Sequence, residues 1–173
     1  TAYASRETMS AEGEFKTLVK ELHKAGIECI PEMYFTGKEL PGEILSVLRY
    51  WVEEYHVDGF HLTGFPDLSL AAEDPFLKRT KLFAENWNEV MNRRPKQGYV
   101  TPGDGAVSVE EKNLAEYNMQ FMEDMRRFLK GDEGMLSAFE LRNRRNPMEY
   151  AVINYMENTN GFTLMDTVSY DRQ

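Results

Sequence analysis

Residues 48–65, LRYWVEEYHVDGFHLTGF, constrain the fold more than any other stretch of this chain. They read as the end of an amphipathic helix, a tight turn, and a short apolar strand that ends in polar residues. A helix leading straight into such a strand is the repeating unit of a parallel α/β sheet. In an α/β barrel the polar tip of the strand is where side chains reach an active site.

The flanking sequence continues the alternation. From 14 to 25, Phe15, Leu18, Val19 and Leu22 mark one helical face. Lys20, His23 and Lys24 sit toward the end that favours positive charge, with Gly26 beyond it. Residues 27–33 read as a short, mostly apolar strand. The next helix is predicted to start near Pro41, ahead of Glu43, and to bury Ile44, Leu48, Trp51, Val52 and Tyr55. A strand over 59–62 follows, then a loop or short helix (DLSLAAEDP), then a strand over 81–85. Residues 89–105 hold two of the seven prolines and three of the twelve glycines and read as irregular. Ser108 with Glu111 fits a capping box. Leu114, Tyr117, Phe121, Met125 and Phe128 continue an apolar stripe that periodicity alone reads as one long helix. A short helix over 133–142 and a strand over 151–156 complete the pattern. Right-handed crossovers bring the C-terminal ends of all these strands to one edge, and any site belongs there.

Composition narrows the function classes. The 20 basic and 29 acidic residues give a net charge of −9 without a basic block, which argues against nucleic acid or an anionic membrane as partner. No apolar run reaches transmembrane length, and the opening TAYASRETMS lacks the apolar core of a signal peptide. The single cysteine, Cys29 in GIECI, excludes an internal disulfide, reads as a small buried apolar residue, and suits a cytoplasmic location. His23, His56 and His61 show no metal-ligand spacing, and nothing implies a cofactor. At 173 residues the chain can bury a real core but is short for a complete (β/α)8 barrel, typically ~250 residues. The expectation is a single incomplete domain over 1–173, part of a longer chain.

Five blocks carry a resemblance. WVEEYHVDGFHLTGF resembles the segment around the nucleophile in the α-amylase clan of glycoside hydrolases, in its debranching branch of isoamylases, pullulanases and glycogen debranching enzymes. That family has D-G-F-R-F-D where this chain has Asp58-Gly59-Phe60-His61-Leu62-Thr63. FKTLVKELHKAGIECIPEMYFTG resembles the stretch ending D-V-V-Y-N-H, with Glu32, Thr36 and Gly37 in place of its Asp, Asn and sugar-holding His. DPFLKRTKLFAENWN resembles D-P-x-L-x-x-T-K-L-I-A-E-P-W-D and keeps the acid/base Glu as Glu85. VINYMENTNGFTLMDTVSY resembles V-N-F-V-x-A-H-D-G-F-T-L-x-D-L-V-S-Y, with Thr159 for the His and Asn160 for the transition-state-stabilising Asp. EYNMQFMEDMRRFLKGD resembles a debranching-enzyme segment ahead of that last block. The resemblance implies strands three to seven of a (β/α)8 TIM barrel and an α-glucan or maltooligosaccharide as partner. It also implies a strand at about 114–117, with the helix starting only after it.

The implied chemistry is incomplete. Retaining glycosidases use two carboxylates about 5–5.5 Å apart, one protonating the leaving oxygen and one attacking the anomeric carbon. Glu85 can supply the first. Thr63 cannot supply the second unaided, since an alkanol needs an adjacent base and a third group to orient that base. Asn160 keeps the shape and hydrogen bonding of Asp but not the charge that stabilises an oxocarbenium ion. His61 can stay neutral where an arginine would be a buried cation without its partner. The expectation is a degenerate centre. An inverting reaction would pair Glu85 with a base ~6.5–9.5 Å away. Glu32, at a neighbouring strand tip, and Asp67, on the next loop, are the candidates for that base. Trp87 can stack on a sugar or pack in the core, and Asp58 reads as a structural anchor of the turn. Glu32, His61, Trp87 and Thr159 are the candidate substrate-binding residues. Three functions stay open: a glucan-binding barrel without efficient cleavage, a working α-glucan hydrolase or transferase, and a barrel kept for protein contacts.

Overall fold

The computed structural model describes residues 11–85, 87, 90, 113–147, 150–158, 163, 165 and 166. Five strands, β1 (Glu32–Phe35), β2 (Gly59–Gly64), β3 (Lys81–Ala84), β4 (Leu114–Tyr117) and β5 (Ala151–Ile153), form one sheet in sequential order, with every neighbouring pair parallel. Helices α1 (Ala11–Lys24), α2 (Pro41–Tyr55), α3 (Met119–Lys130) and α4 (Met135–Asn143) precede or connect them. Two 3-10 turns, Ala71–Glu73 and Phe76–Arg79, lead into β3.

Local chemistry accounts for the helix boundaries. α1 opens with Glu12 and Glu14 and closes with His23 and Lys24, matching the helix dipole at both ends. Gly26 at φ 71° then reverses the chain, and the Ile27 N–H reaches the Leu22 carbonyl at 2.9 Å. α2 opens on Pro41, and the Glu43 carboxylate accepts from the Leu40 N–H at 2.8 Å. Phe15 of α1 meets Trp51 and Tyr55 of α2 edge-on, each at 5.4 Å.

Three expectations change, the simplest being the last strand, which runs over 151–153 rather than 151–156. The first strand lies over 32–35 rather than 27–33. Pro31 has no N–H to give a ladder, and the backbone bonds of residues 27–31 to the sheet side are isolated ones, Asp58 N–H to Cys29 O and His61 N–H to Pro31 O, both 3.0 Å. The apolar stripe after 114 is not one helix: it divides into β4 and α3 as the resemblance implied. Asn118 makes the division. Its Oδ1 accepts from the Phe121 N–H at 3.1 Å, capping α3, while its Nδ2 donates to Asn154 at 2.9 Å. Ser108, Glu111 and all of 89–105 except Val90 lie outside the described residues.

The sheet has two unlike faces. Phe35, Phe60, Leu62, Leu82, Ala84 and Leu114 are buried against the helical layer, in one cluster with Ile44, Leu48 and Tyr55 of α2. Side chains alternate across a strand, so the intervening residues occupy the opposite face. The register sorts them into rows. Glu32, His61, Phe83, Ala115 and Ala151 form one row. Tyr34 with Thr63, and Tyr117 with Ile153, belong to the row two residues nearer the strand ends. Apart from Ala115 these residues are exposed or half-buried. The candidate site belongs to this second face.

Candidate active site

The segment Asp58-Gly59-Phe60 is held by the fold itself. The Asp58 carboxylate accepts from the Cys29 N–H at 2.7 Å and pairs with His23 Nε2 at 2.8 Å, tying the end of α1 to the start of β2. A Cβ on Gly59 would lie 2.6 Å from the Lys81 carbonyl oxygen, so β2 and β3 approach there at a distance only glycine permits. Phe60 is core. These three residues set the frame from which His61 and Thr63 project to the polar face.

Thr63 and Glu85 come together. Ala84 is in register with Leu62, so Glu85 leaves the end of β3 at the level where Thr63 follows Leu62 in β2. Glu85 is exposed. The Thr63 hydroxyl donates to the Met33 carbonyl at 3.4 Å, a long bond. Glu32 does not join them. It opens β1 instead of ending it, and its row is that of His61, where its carboxylate meets His61 Nδ1 at 3.2 Å. Two strands across and two residues down, its backbone is about 12 Å from that of Glu85 by strand geometry. Asp67 Oδ1 accepts from the Ser69 N–H at 3.1 Å in the turn after β2. Trp87 has 0% of its surface exposed, and its Nε1 donates to the Leu82 carbonyl at 3.2 Å, so it has no ring face to offer a sugar. Thr159 and Asn160 lie outside the described residues.

The structure adds groups that sequence reasoning passed over. Tyr117, read as part of a helical stripe, lies 4.4 Å from the His61 ring, and Tyr155 stacks on Tyr117 at 4.2 Å. Among the described residues, the buried side-chain atoms without a hydrogen-bond partner are His61 Nε2 and the Tyr155 hydroxyl, one at each end of this ladder. Burial and then the negative charge of Glu85 push the Tyr155 phenol up to about 12, with Tyr117 adding to the rise and Asn158 and Arg126 opposing it. Tyr155 therefore stays a protonated donor, close enough to Glu85 to feel its charge. The alternation of β4 was the signal for Tyr117, usable only once that segment is known to be a strand.

This face offers one carboxylate at the strand ends, a hydroxyl beside it, an imidazole oriented by Glu32, and a phenol. Such a set can hold and orient hydroxyl groups.

The class of protein comes first from the sheet: a five-stranded, all-parallel α/β arrangement of the kind that makes up part of a (β/α)8 barrel. Sequence comparison then specifies the kinship. The chain is 29% identical over 249 residues to isoamylase 3, chloroplastic, of Oryza sativa, covering 98% of this chain and 29% of that protein. It is 29% identical over 237 residues to a glycogen debranching enzyme of Serratia proteamaculans, covering 99% and 34%. Isoamylase 2, chloroplastic, of Arabidopsis thaliana is 27% identical over 224 residues, covering 96% and 24%. The chain is thus distantly related to debranching enzymes of the α-amylase clan and spans about a third or less of the length of these relatives. No family model matches it, and no solved structure does. No helix among the described residues is long and apolar enough to cross a membrane.

Proposed function

We propose that the chain supplies strands three to seven of a debranching-type (β/α)8 barrel whose catalytic positions are substituted, and that it holds α-glucan without cleaving it efficiently. In this reading Thr63 stands at the nucleophile position, Asn160 at the transition-state position, and Glu85 is the remaining acid. The observation that carries it is the register that sets Thr63 level with Glu85 on the exposed face. In this reading the position of a retaining enzyme's second carboxylate carries a hydroxyl, and the Thr63 hydroxyl donates to the Met33 carbonyl at 3.4 Å. The relatives' names supply the substrate class.

The test is reducing-end release from glycogen, pullulan and maltooligosaccharides by the natural full-length protein, beside its Glu85→Gln variant. The expected result is no release above that variant, with maltooligosaccharide binding retained.

A second reading rests on the Glu32–His61 contact. A carboxylate that orients an imidazole fixes which way its ring nitrogens face, and in this reading His61 activates water for inversion with Glu85 as acid. Release abolished by both Glu85→Gln and Glu32→Gln would establish it. Absence of any maltooligosaccharide binding would instead establish a barrel kept for protein contacts.

A further inference from the structure

We infer that Tyr34 and Phe65 form an aromatic platform, beside the Thr63 position, that holds a neutral pyranose chain by stacking. The inference rests on the glucan reading above and names the residues that grip the ligand.

Both rings are displayed in spite of their chemistry. Tyr34 is 68% exposed and Phe65 is 76% exposed, at the C-terminal ends of adjacent strands. Tyr34 is the register partner of Thr63, and Phe65 follows Thr63 by two residues. Each residue sits against a glycine that has no room for a side chain. A Cβ on Gly64 would meet the Phe35 carbonyl oxygen first, at 2.1 Å, and then the Tyr34 ring at 2.9 Å, while a Cβ on Gly37 would meet Phe65 Cβ at 3.0 Å. Both glycines have positive φ, 84° and 85°, so a side chain there would be strained as well as obstructed.

The loop carrying Gly37 is itself clamped. The Glu39 carboxylate accepts from the Thr36 N–H at 3.2 Å, the Thr36 hydroxyl at 2.9 Å and the Gly37 N–H at 3.0 Å. The Phe65 N–H bonds the Phe35 carbonyl at 3.0 Å, fixing the other side. Two exposed aromatics are thus seated on a rigid base at the strand ends.

The chemistry that such a surface recognises is specific. One face of a pyranose ring presents aligned C–H groups with partial positive charge, and these meet the negative face of an aromatic ring while water leaves both. No charge is needed, which suits a neutral ligand on a chain of net charge −9.

The test measures maltoheptaose affinity, by titration, for the natural full-length protein and for Tyr34→Ala, Phe65→Ala, the double variant, Tyr34→Trp and Phe65→Leu. Each alanine variant is expected to weaken binding about tenfold, which corresponds to about 1.4 kcal/mol. Tyr34→Trp should keep the affinity, Phe65→Leu should lose it, and all should unfold at the parental temperature. If the parent binds and the double variant binds equally well, the platform is overturned while the glucan reading stands. If the parent does not bind, the glucan reading fails and the platform with it.

Discussion

Tyr155 and Trp87 show how little a residue's type says about its work until its neighbours are known. The Tyr155 hydroxyl is buried without a partner, a state that costs about 1–3 kcal/mol. Tyr155→Phe should therefore raise the unfolding free energy by about 1 kcal/mol, read by urea denaturation in the absence of ligand. A fall in stability would mean that the hydroxyl has a partner after all. Trp87 follows the Glu85 tip in sequence, yet it fills the core. Trp87→Ala should cost about 3–5 kcal/mol of folding stability. A variant that instead folds normally and loses only sugar affinity would contradict its burial. Glu85 and Thr63 were legible as a pair from the quoted motifs. Tyr117 and Tyr155 were not, because stacking between strands leaves no mark in either strand's own sequence.

At the scale of elements, the turn before β3 depends on Asp74. Its carboxylate pairs with Arg49 and accepts from the N–H groups of Phe76 and Leu77 at 3.0 and 3.1 Å. The hydrogen bonds from Arg49, foremost, hold Asp74 below the ordinary carboxylate range, and the backbone bonds add to this. The sign of the linkage follows. A depressed carboxylate contributes stability above its unfolded value, about 3.9, and loses it as pH falls through the lower folded value. Asp74→Asn should thus lower the urea midpoint at pH 7 and flatten the acid limb below about pH 4. Arg49 is half-exposed, so the effect will be modest. Asn118 is the corresponding device between β4 and α3. Asn118→Ala should cost about 1 kcal/mol through the lost cap, read as a shift in thermal midpoint. The Glu116–Arg145 pair, with Glu116 buried and Arg145 donating through Nε and one Nη at 2.7–2.9 Å and through that Nη to the Tyr150 hydroxyl, anchors the chain before β5 in the same way.

For the described part of the molecule, the parallel sheet buries one face under helices and leaves the other to the candidate site. Stability should be graded across it. β2 and β3 have partners on both sides and their helix-facing side chains in the core cluster, whereas β1 and β5 are the sheet's edges. Amide exchange is expected to be slowest in residues 60, 62 and 82 and faster in β1 and β5. Equal protection throughout would show that the edges are paired in the natural protein. Gly59→Ala should reduce protection on both sides of its close contact with Lys81, because the obstruction is a backbone carbonyl that cannot turn away.

The sequence alone determined what depends on near neighbours. The extents of α1 and α2, the strand after Asp58 and the alternation that makes the sheet parallel follow from spacings of a few residues, although Leu18, expected on the buried face of α1, is 51% exposed. The quoted blocks supplied the kinship and located β4 where periodicity misread it. Tertiary structure decided everything that depends on register. It moved Glu32 away from the strand tips, put Trp87 in the core, and joined His61 to Tyr117 and Tyr155. The physical reason is that a strand's side chains alternate whichever partner it finds. Only the pairing of distant segments decides which residues share a row and which face meets the helices.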